Sequence, residues 1–432
     1  MRIKESLKSL NWGMFRALLV MGLCPVIYTT VRVFFLGQLP GDYAFSIAGQ
    51  LSWVSLLYEV LDEAIILPLF YFLGRAFKDK AEMSNRIRTG LILSLIIYSV
   101  IAVIIMIFIT PLLQFMAATP DIIPESATYI RIESVANVFG ILFRFAQVAL
   151  IVIGSEKLVY GLTAVKVLLS LVLDTFLVSQ LSMSLALGVN GIGISNIISN
   201  VILFLVTLVM IERCGYSIRG GGKLSFAWIK DFLRVGGISG LESLVRNIAY
   251  MLMVSRMVNM VGEQGTYWVA NNFIWGWLLL PILQLGELIK QEVAKDKAAV
   301  KNNTPAYFVV TTATCLLWVI LIPLFKPFMQ YVLGFEDVDK LFSLVMTLLI
   351  FYVMYAFQNI FDMTFYGAGK TEYMLAESVI TNAVYYGGFF IAYLTGAWVP
   401  SLLGIALMFG GGNAFDTVVS GVMYWRFRRK MD

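Results

Sequence analysis

The chain contains no histidine. That removes Ser-His-Asp and Cys-His nucleophiles and every imidazole metal ligand, since each needs a ring nitrogen that titrates near neutrality. Cysteine is scarce as well. Cys24, Cys214 and Cys315 are odd in number, far apart and without CxxC spacing, so they indicate neither a disulfide framework nor a metal site. Charge is the third shortage: 14% of residues are Asp, Glu, Lys or Arg, against about a quarter in soluble domains. No ordinary soluble class fits that deficit.

What is present is apolar. Of 432 residues, 59% are hydrophobic, and the mean hydropathy is +0.82. The apolar residues come in blocks of about 20 or more, enough to cross roughly 30 Å of hydrocarbon at about 1.5 Å per residue. Candidate spans lie near 12–36, 46–76, 90–117, 127–153, 157–181 and 189–211, and then near 235–260, 266–290, 306–333, 341–366, 372–395 and 401–425. The first block, about Trp12 to Leu36, is longer than the apolar core of a secretory leader and reads as a retained span. Between the two groups, Arg213 to Lys230 is polar and holds Gly220-Gly221-Gly222. The expected organisation is a six-helix bundle over 1–213, a cytoplasmic linker over 214–232 and a second six-helix bundle over 233–432.

Loop charge sets the orientation. Arg2, Lys4 and Lys8 precede the first span, and Lys78, Lys80, Arg86 and Arg88 follow the second. The linker carries Arg213, Arg219, Lys223 and Lys230, the loop after span eight Lys290, Lys295, Lys297 and Lys301, and the tail Arg426, Arg428, Arg429 and Lys430. The alternate loops hold mostly acids: Asp42, Asp121 with Glu125, Glu263, and Glu336 with Asp337 and Asp339. Lysine and arginine stay cytoplasmic, so both termini are expected inside and the span count is even.

The halves repeat. Gly154-Ser-Glu-Lys157-Leu-Val-Tyr160-Gly-Leu162 after span four matches Gly367-Ala-Gly-Lys370-Thr-Glu-Tyr373-Met-Leu375 after span ten, each matched position 213 residues on. The same offset carries Gly191-Ile192 onto Gly404-Ile405, and an offset of 222 carries Ala48 and Trp53 onto Ala270 and Trp275. Units of six spans keep their topology, so the repeats are parallel, an arrangement found in transporters. Gly367-Ala-Gly369-Lys370-Thr371 looks like the end of a phosphate-binding loop. The earlier glycine that motif needs is Thr364, and no strand precedes it, so it reads as a tight cytoplasmic turn.

Ionisable residues inside spans are costly and mark function or pairing. Span two carries Glu59, Asp62 and Glu63 on one helical face, span five Asp174, and span one Arg32, seven residues beyond Pro25. Three acids so close cannot all be ionised without cations nearby. Span seven has Glu242 and Arg246 at i, i+4, with Arg256 on nearly the same stripe, and Glu287, Asp362, Glu377 and Asp416 are spread over four further spans. Structural pairing, of Glu242 with Arg246 or of Arg32 with a span-two acid, is the competing explanation. Acids outnumber bases in the first-half cluster, which favours function there. Of the many aromatics, Tyr58, Phe145, Trp275 and Trp277 are candidates to line a cavity for flat ligands.

Several segments together resemble the multidrug and toxic compound extrusion (MATE) family. Arg32-Val-Phe-Phe-Leu-Gly37-Gln38-Leu39 is similar to that family's Asp-Thr-Val-Phe-Val-Gly-Gln-Leu, and Leu-Ser170-Leu-Val-Leu173-Asp174 to its Leu-Asn-Ile-Val-Leu-Asp. Gly188-Val189-Asn-Gly191-Ile-Gly193-Ile-Ser195 and Arg234-Val-Gly236-Gly-Ile-Ser-Gly240-Leu241 also resemble family segments, in family order along the whole chain. The resemblance implies an all-α membrane fold, twelve transmembrane helices in two six-helix bundles arranged as a V. It further implies export of amphipathic, often cationic compounds against an inward sodium or proton gradient. The departures are Arg32, where the family usually has an acid, and Glu242-Ser-Leu-Val-Arg246, where it usually reads Gln-x-x-x-Glu; Asp174 is retained.

The expectation is therefore a secondary transporter and not an enzyme. Asp174, Glu59, Asp62 and Glu63 would handle the coupling ion, and Arg32, Glu242 and Arg246 would set the charge of the substrate cavity. The alternatives are a flippase or exporter for an anionic lipid-linked or amphipathic metabolite and, against the lack of histidine, a membrane-embedded lipid-modifying enzyme. No cofactor is expected beyond a bound sodium ion. The expected partners are a small-molecule substrate and membrane lipids, with no nucleic acid, for a monomer in a prokaryotic cytoplasmic membrane.

Overall fold

Backbone N–H and C=O groups within hydrocarbon must bond internally, so apolar runs of this length fold as helices. The computed structural model describes residues 3–39, 43–76, 78–220 and 224–430 and follows that rule. Arg2, Asp42, Gly221, Gly222 and Lys223 lie outside the described residues.

Twelve long helical stretches cover the described residues. The first six are α1 (Trp12–Gly37), α2 (Tyr43–Ala76), α3 (Lys80–Phe115), α4 (Ile123–Val152), α5 (Glu156–Leu177) and α6 (Val189–Arg213). The second six begin with α7, which runs Ile229–Tyr250 and passes through a π-helical turn, Met251–Ser255, into Arg256–Met260. α8 comprises Gln264–Phe273, a π turn Ile274–Leu278 and Leu280–Lys295, bent by 54°. α9 (Thr304–Tyr331) and α10 (Val338–Gly367) are continuous. α11 runs Thr371–Ile380, a π turn Thr381–Tyr386 and Gly387–Leu394, and α12 is Leu402–Arg429. Pro281 opens the second part of α8 and lacks the N–H that would bond one turn back, which accounts for the bend there.

By length and composition, eight of the described helices are apolar enough to cross a membrane, or nine with the bent α8 as one span. The others are α2, which carries three acids, and α7 and α11, each divided by a π turn. Sequence repetition is visible in the turns. α4 ends on Gly154 (φ 87°) and α10 on Gly369 (φ 69°), and in each the following residue's N–H reaches back over the last turn, a glycine cap. These two glycines stand 215 positions apart, so the 213-residue register slips by two at this turn. At the starts of α6 and α12, Val189 and Leu402, it holds at 213.

The helices pack as two units. One spans Gln38–Met251 and holds α2–α6 with most of α7; its central helix is α4, packed on α6, α3 and α2. The other holds Met1–Gly37 and Leu252–Asp432, with α10 at its centre, packed on α12, α8 and α9. Packing thus places α1 with second-half helices and most of α7 with first-half helices, unlike the expected division at 214–232. Close approach is the physical reason. Gly236 and Gly240 on α7 lie against Ala64 on α2, where a Cβ at 236 would sit 2.0 Å from the Ala64 carbonyl oxygen. Likewise Gly22 on α1 lies against Leu280 and Gln284 on α8, which a Cβ there would meet at 2.8 and 2.7 Å.

Candidate ion and substrate sites

In the Gln38–Met251 unit, α2 is a 34-residue helix with Glu59, Asp62 and Glu63 near its middle. Asp62 is held twice: the Tyr98 hydroxyl on α3 donates to Oδ1, and Arg144 on α4 donates to Oδ2. Tyr98 also stacks on Tyr58, ring centroids 6.0 Å apart. Glu63 is paired with Arg246 on α7, whose Nη2 also lies 3.5 Å from the Ser243 hydroxyl. Glu59 has no hydrogen-bond or ion-pair partner among the described residues and is exposed at the surface of the unit. The pairs are only part-buried: the Asp62, Glu63 and Arg246 side chains keep 20%, 27% and 29% of their accessible surface. Two arginines therefore compensate two of three acids.

Asp174 is fully enclosed, 1% exposed, on α5, which packs chiefly on α6 and α4. It is not among the charged neighbours of Glu59 or Asp62. Glu242 lies on α7 and its side chain is outside the described residues. Tyr58 and Phe145 are 3% and 0% exposed, so neither lines a cavity. Phe145 is pressed against Gly90, where a Cβ would come within 2.4 Å of the ring.

The other unit contains Arg32, Trp275 and Trp277. The Arg32 guanidinium lies over the Tyr28 ring, 4.7 Å from its centroid. Trp277 Nε1 donates to Thr30 Oγ1 at 2.9 Å, tying α8 to α1. Trp275, 40% exposed, donates to the Tyr352 hydroxyl at 3.0 Å and packs on Tyr355. Trp275 is exposed and Trp277 half-buried, whereas Tyr58 and Phe145 are core. Among the described residues no group of three or more Cys, Asp or Glu is arranged to hold a metal ion.

Residues 17–176 match the MatE family model, over α1 to α5. No curated protein sequence matches the chain. Among solved structures, an inward-facing multidrug resistance MATE transporter of the MOP superfamily superposes with a TM-score of 0.78 at 22% identity, over 93% of this chain and 93% of that one. The chain has the MATE fold, and its residues 17–176 match that family's model.

Two further MATE-fold structures are similar. A MOP superfamily transporter from Pyrococcus furiosus, reported with a binding pocket of reversed polarity, gives a TM-score of 0.70 at 20% identity over 99% of this chain and 98% of that one. An outward-facing multidrug resistance MATE transporter gives 0.67 at 18% identity with the same coverage. Within this MATE fold, the altered positions have definite neighbours: Arg246 meets Glu63, and Arg32 lies over Tyr28. Sequence reasoning missed Arg144 and Tyr98 as the partners of Asp62. A mid-span arginine in Leu142-Phe143-Arg144-Phe145 was the available signal, since such a charge needs a partner.

Proposed function

We propose that the chain is a secondary transporter that exports amphipathic organic compounds by alternating access, as an antiporter driven by sodium or protons. The observation that carries this reading is Glu59, an unpaired, exposed carboxylate at the midpoint of a membrane helix, beside two ion pairs that are themselves part-open. A charge there is tolerable only against water, so this face of α2, α4 and α7 lines a wet path. The MATE fold, solved in relatives in inward-facing and outward-facing states, supports the transport cycle. Asp174 and the α2 acids bind and release the coupling ion, and its different affinity for the two states biases the cycle. Both termini lie in the cytoplasm.

A second reading follows from Arg144 and Arg246, which put two cations on the same face. It is export or flipping of an anionic amphipathic metabolite, in keeping with the reversed polarity reported for the Pyrococcus furiosus relative.

The test is flux in proteoliposomes under imposed sodium or proton gradients, with a panel of cationic and anionic amphiphiles and a labelled anionic lipid. Flux that ignores both gradients, or full activity of Asp174→Asn, overturns the coupling assignment. Preference for the anionic lipid selects the second reading.

A further inference from the structure

The second unit contains a separate acidic cluster, drawn from α10, α11 and α12. Its hub is Gln358, whose Nε2 donates to Glu377 Oε1 at 2.8 Å, to Asp416 Oδ2 at 2.8 Å and to Asp362 Oδ2 at 3.2 Å. An amide nitrogen has two hydrogens, and here three carboxylates compete for them. Ser420 donates to Asp362 Oδ1 at 2.7 Å, and Thr381 to Asp416 Oδ1 at 2.5 Å. Five of the six carboxylate oxygens thus have a donor. Glu377 Oε2 is buried without a hydrogen-bond donor, on a residue 2% exposed.

No lysine or arginine pairs with any of the three acids among the described residues, from α8 and α9 or from the cluster's own helices. The other titratable side chain facing them is Tyr355 on α10. Three ionised carboxylates cannot share a dry site without a compensating positive charge. A proton on Glu377 resolves both faults at once. It removes one negative charge and turns the orphaned oxygen from an acceptor without a donor into a donor facing Asp362 and Asp416. A metal ion suits the centre poorly, because Gln358 aims N–H groups at it; Thr417 donates to the amide oxygen at 3.2 Å and holds it turned away.

The local backbone is also unusual. Thr381 opens the π turn Thr381–Tyr386, and π turns inside helices are frequent at functional sites. Among the described residues, the matching positions of the first half carry no such cluster. Measured from the helix starts, Glu377 corresponds to Leu162 and Asp416 to Leu203, both buried leucines.

We infer that Asp362, Glu377 and Asp416, organised by Gln358, form a proton-binding site in the second unit. Resting on the transport reading above, this site takes a proton from solvent and returns it during the cycle. The test uses the full chain in lipid, in sodium-free buffer at neutral pH, read by infrared spectroscopy. The wild type is expected to show the carbonyl stretch of a protonated, buried carboxylic acid, lost in Glu377→Gln and unchanged by added sodium. Absence of the band in the wild type, its persistence in Glu377→Gln, or its loss on adding sodium overturns the site. The band is read without any flux, so its failure is distinct from failure of the transport reading. In proteoliposomes Glu377→Gln is expected to lose proton-driven flux. Unchanged proton-driven flux in that variant overturns the coupling role.

Discussion

Arg246 on α7 forms an ion pair with Glu63 on α2, joining a helix from the second half of the sequence to the first-half unit. Removing one partner leaves the other charge uncompensated in a poorly solvated place. Arg246→Ala is expected to cost about 1–3 kcal/mol, below the range for fully buried pairs because both side chains keep over a quarter of their surface. The double variant Glu63→Gln with Arg246→Gln should recover much of that loss. Thermal unfolding in detergent decides; a double variant no more stable than Arg246→Ala means the pair does not hold α7.

The same helix contact depends on Gly236. A Cβ there would fall 2.0 Å from the Ala64 carbonyl oxygen, a backbone atom that cannot rotate aside. Gly236→Ala must push α7 away from α2, a loss of about 1–3 kcal/mol typical of overpacking. Gly237→Ala is the control, since nothing lies within 4 Å of its Cβ position. Size-exclusion profiles and melting temperatures should separate the two variants. Equal behaviour would show that the close approach is not what holds the helices together.

Accessibility checks the wet path. In a background with Cys24, Cys214 and Cys315 replaced, Glu59→Cys should react with a membrane-impermeant thiol reagent. Tyr58→Cys, one residue away and facing the core, should not. Protection at both positions would place Glu59 against lipid or protein and remove the main support for the transport reading.

Much of this architecture is legible in the sequence because the bilayer imposes a one-dimensional code: apolar runs become helices, and mid-span charges are rare enough to notice. Glu59, Asp62, Glu63 and Arg246 stand out that way, and the structure brings Glu63 and Arg246 together. Side-chain direction is not so encoded. Tyr58 and Phe145 looked like cavity aromatics and are core, because an all-apolar helix offers no polar face to orient it. Partners far apart in sequence are hidden too. Arg144 lies 82 residues from Asp62, and Gln358 lies 58 from Asp416, so acids that seem scattered converge only in three dimensions. The regrouping of α1 and α7 rests on glycine contacts such as Gly236 with Ala64, whose partner helix composition does not name.

The charge of the substrate should follow the arginines. Arg144 is the more open of the two, with 42% of its side-chain surface accessible beside Asp62 at 20%. A charge about 4 Å from a bound ion is worth about 1 kcal/mol even at the dielectric of water, roughly a fivefold change in affinity. Arg144→Gln is therefore expected to shift relative transport toward cationic amphiphiles by roughly that factor, while Arg144→Lys, which keeps the charge, leaves the preference near wild type. Competition between a cationic and an anionic dye in proteoliposomes measures the ratio directly. If both variants change it equally, Arg144 acts through the geometry of Asp62 and Tyr98 rather than through its charge. That outcome would move substrate selection elsewhere, with Trp275 and Arg32 the next residues to vary.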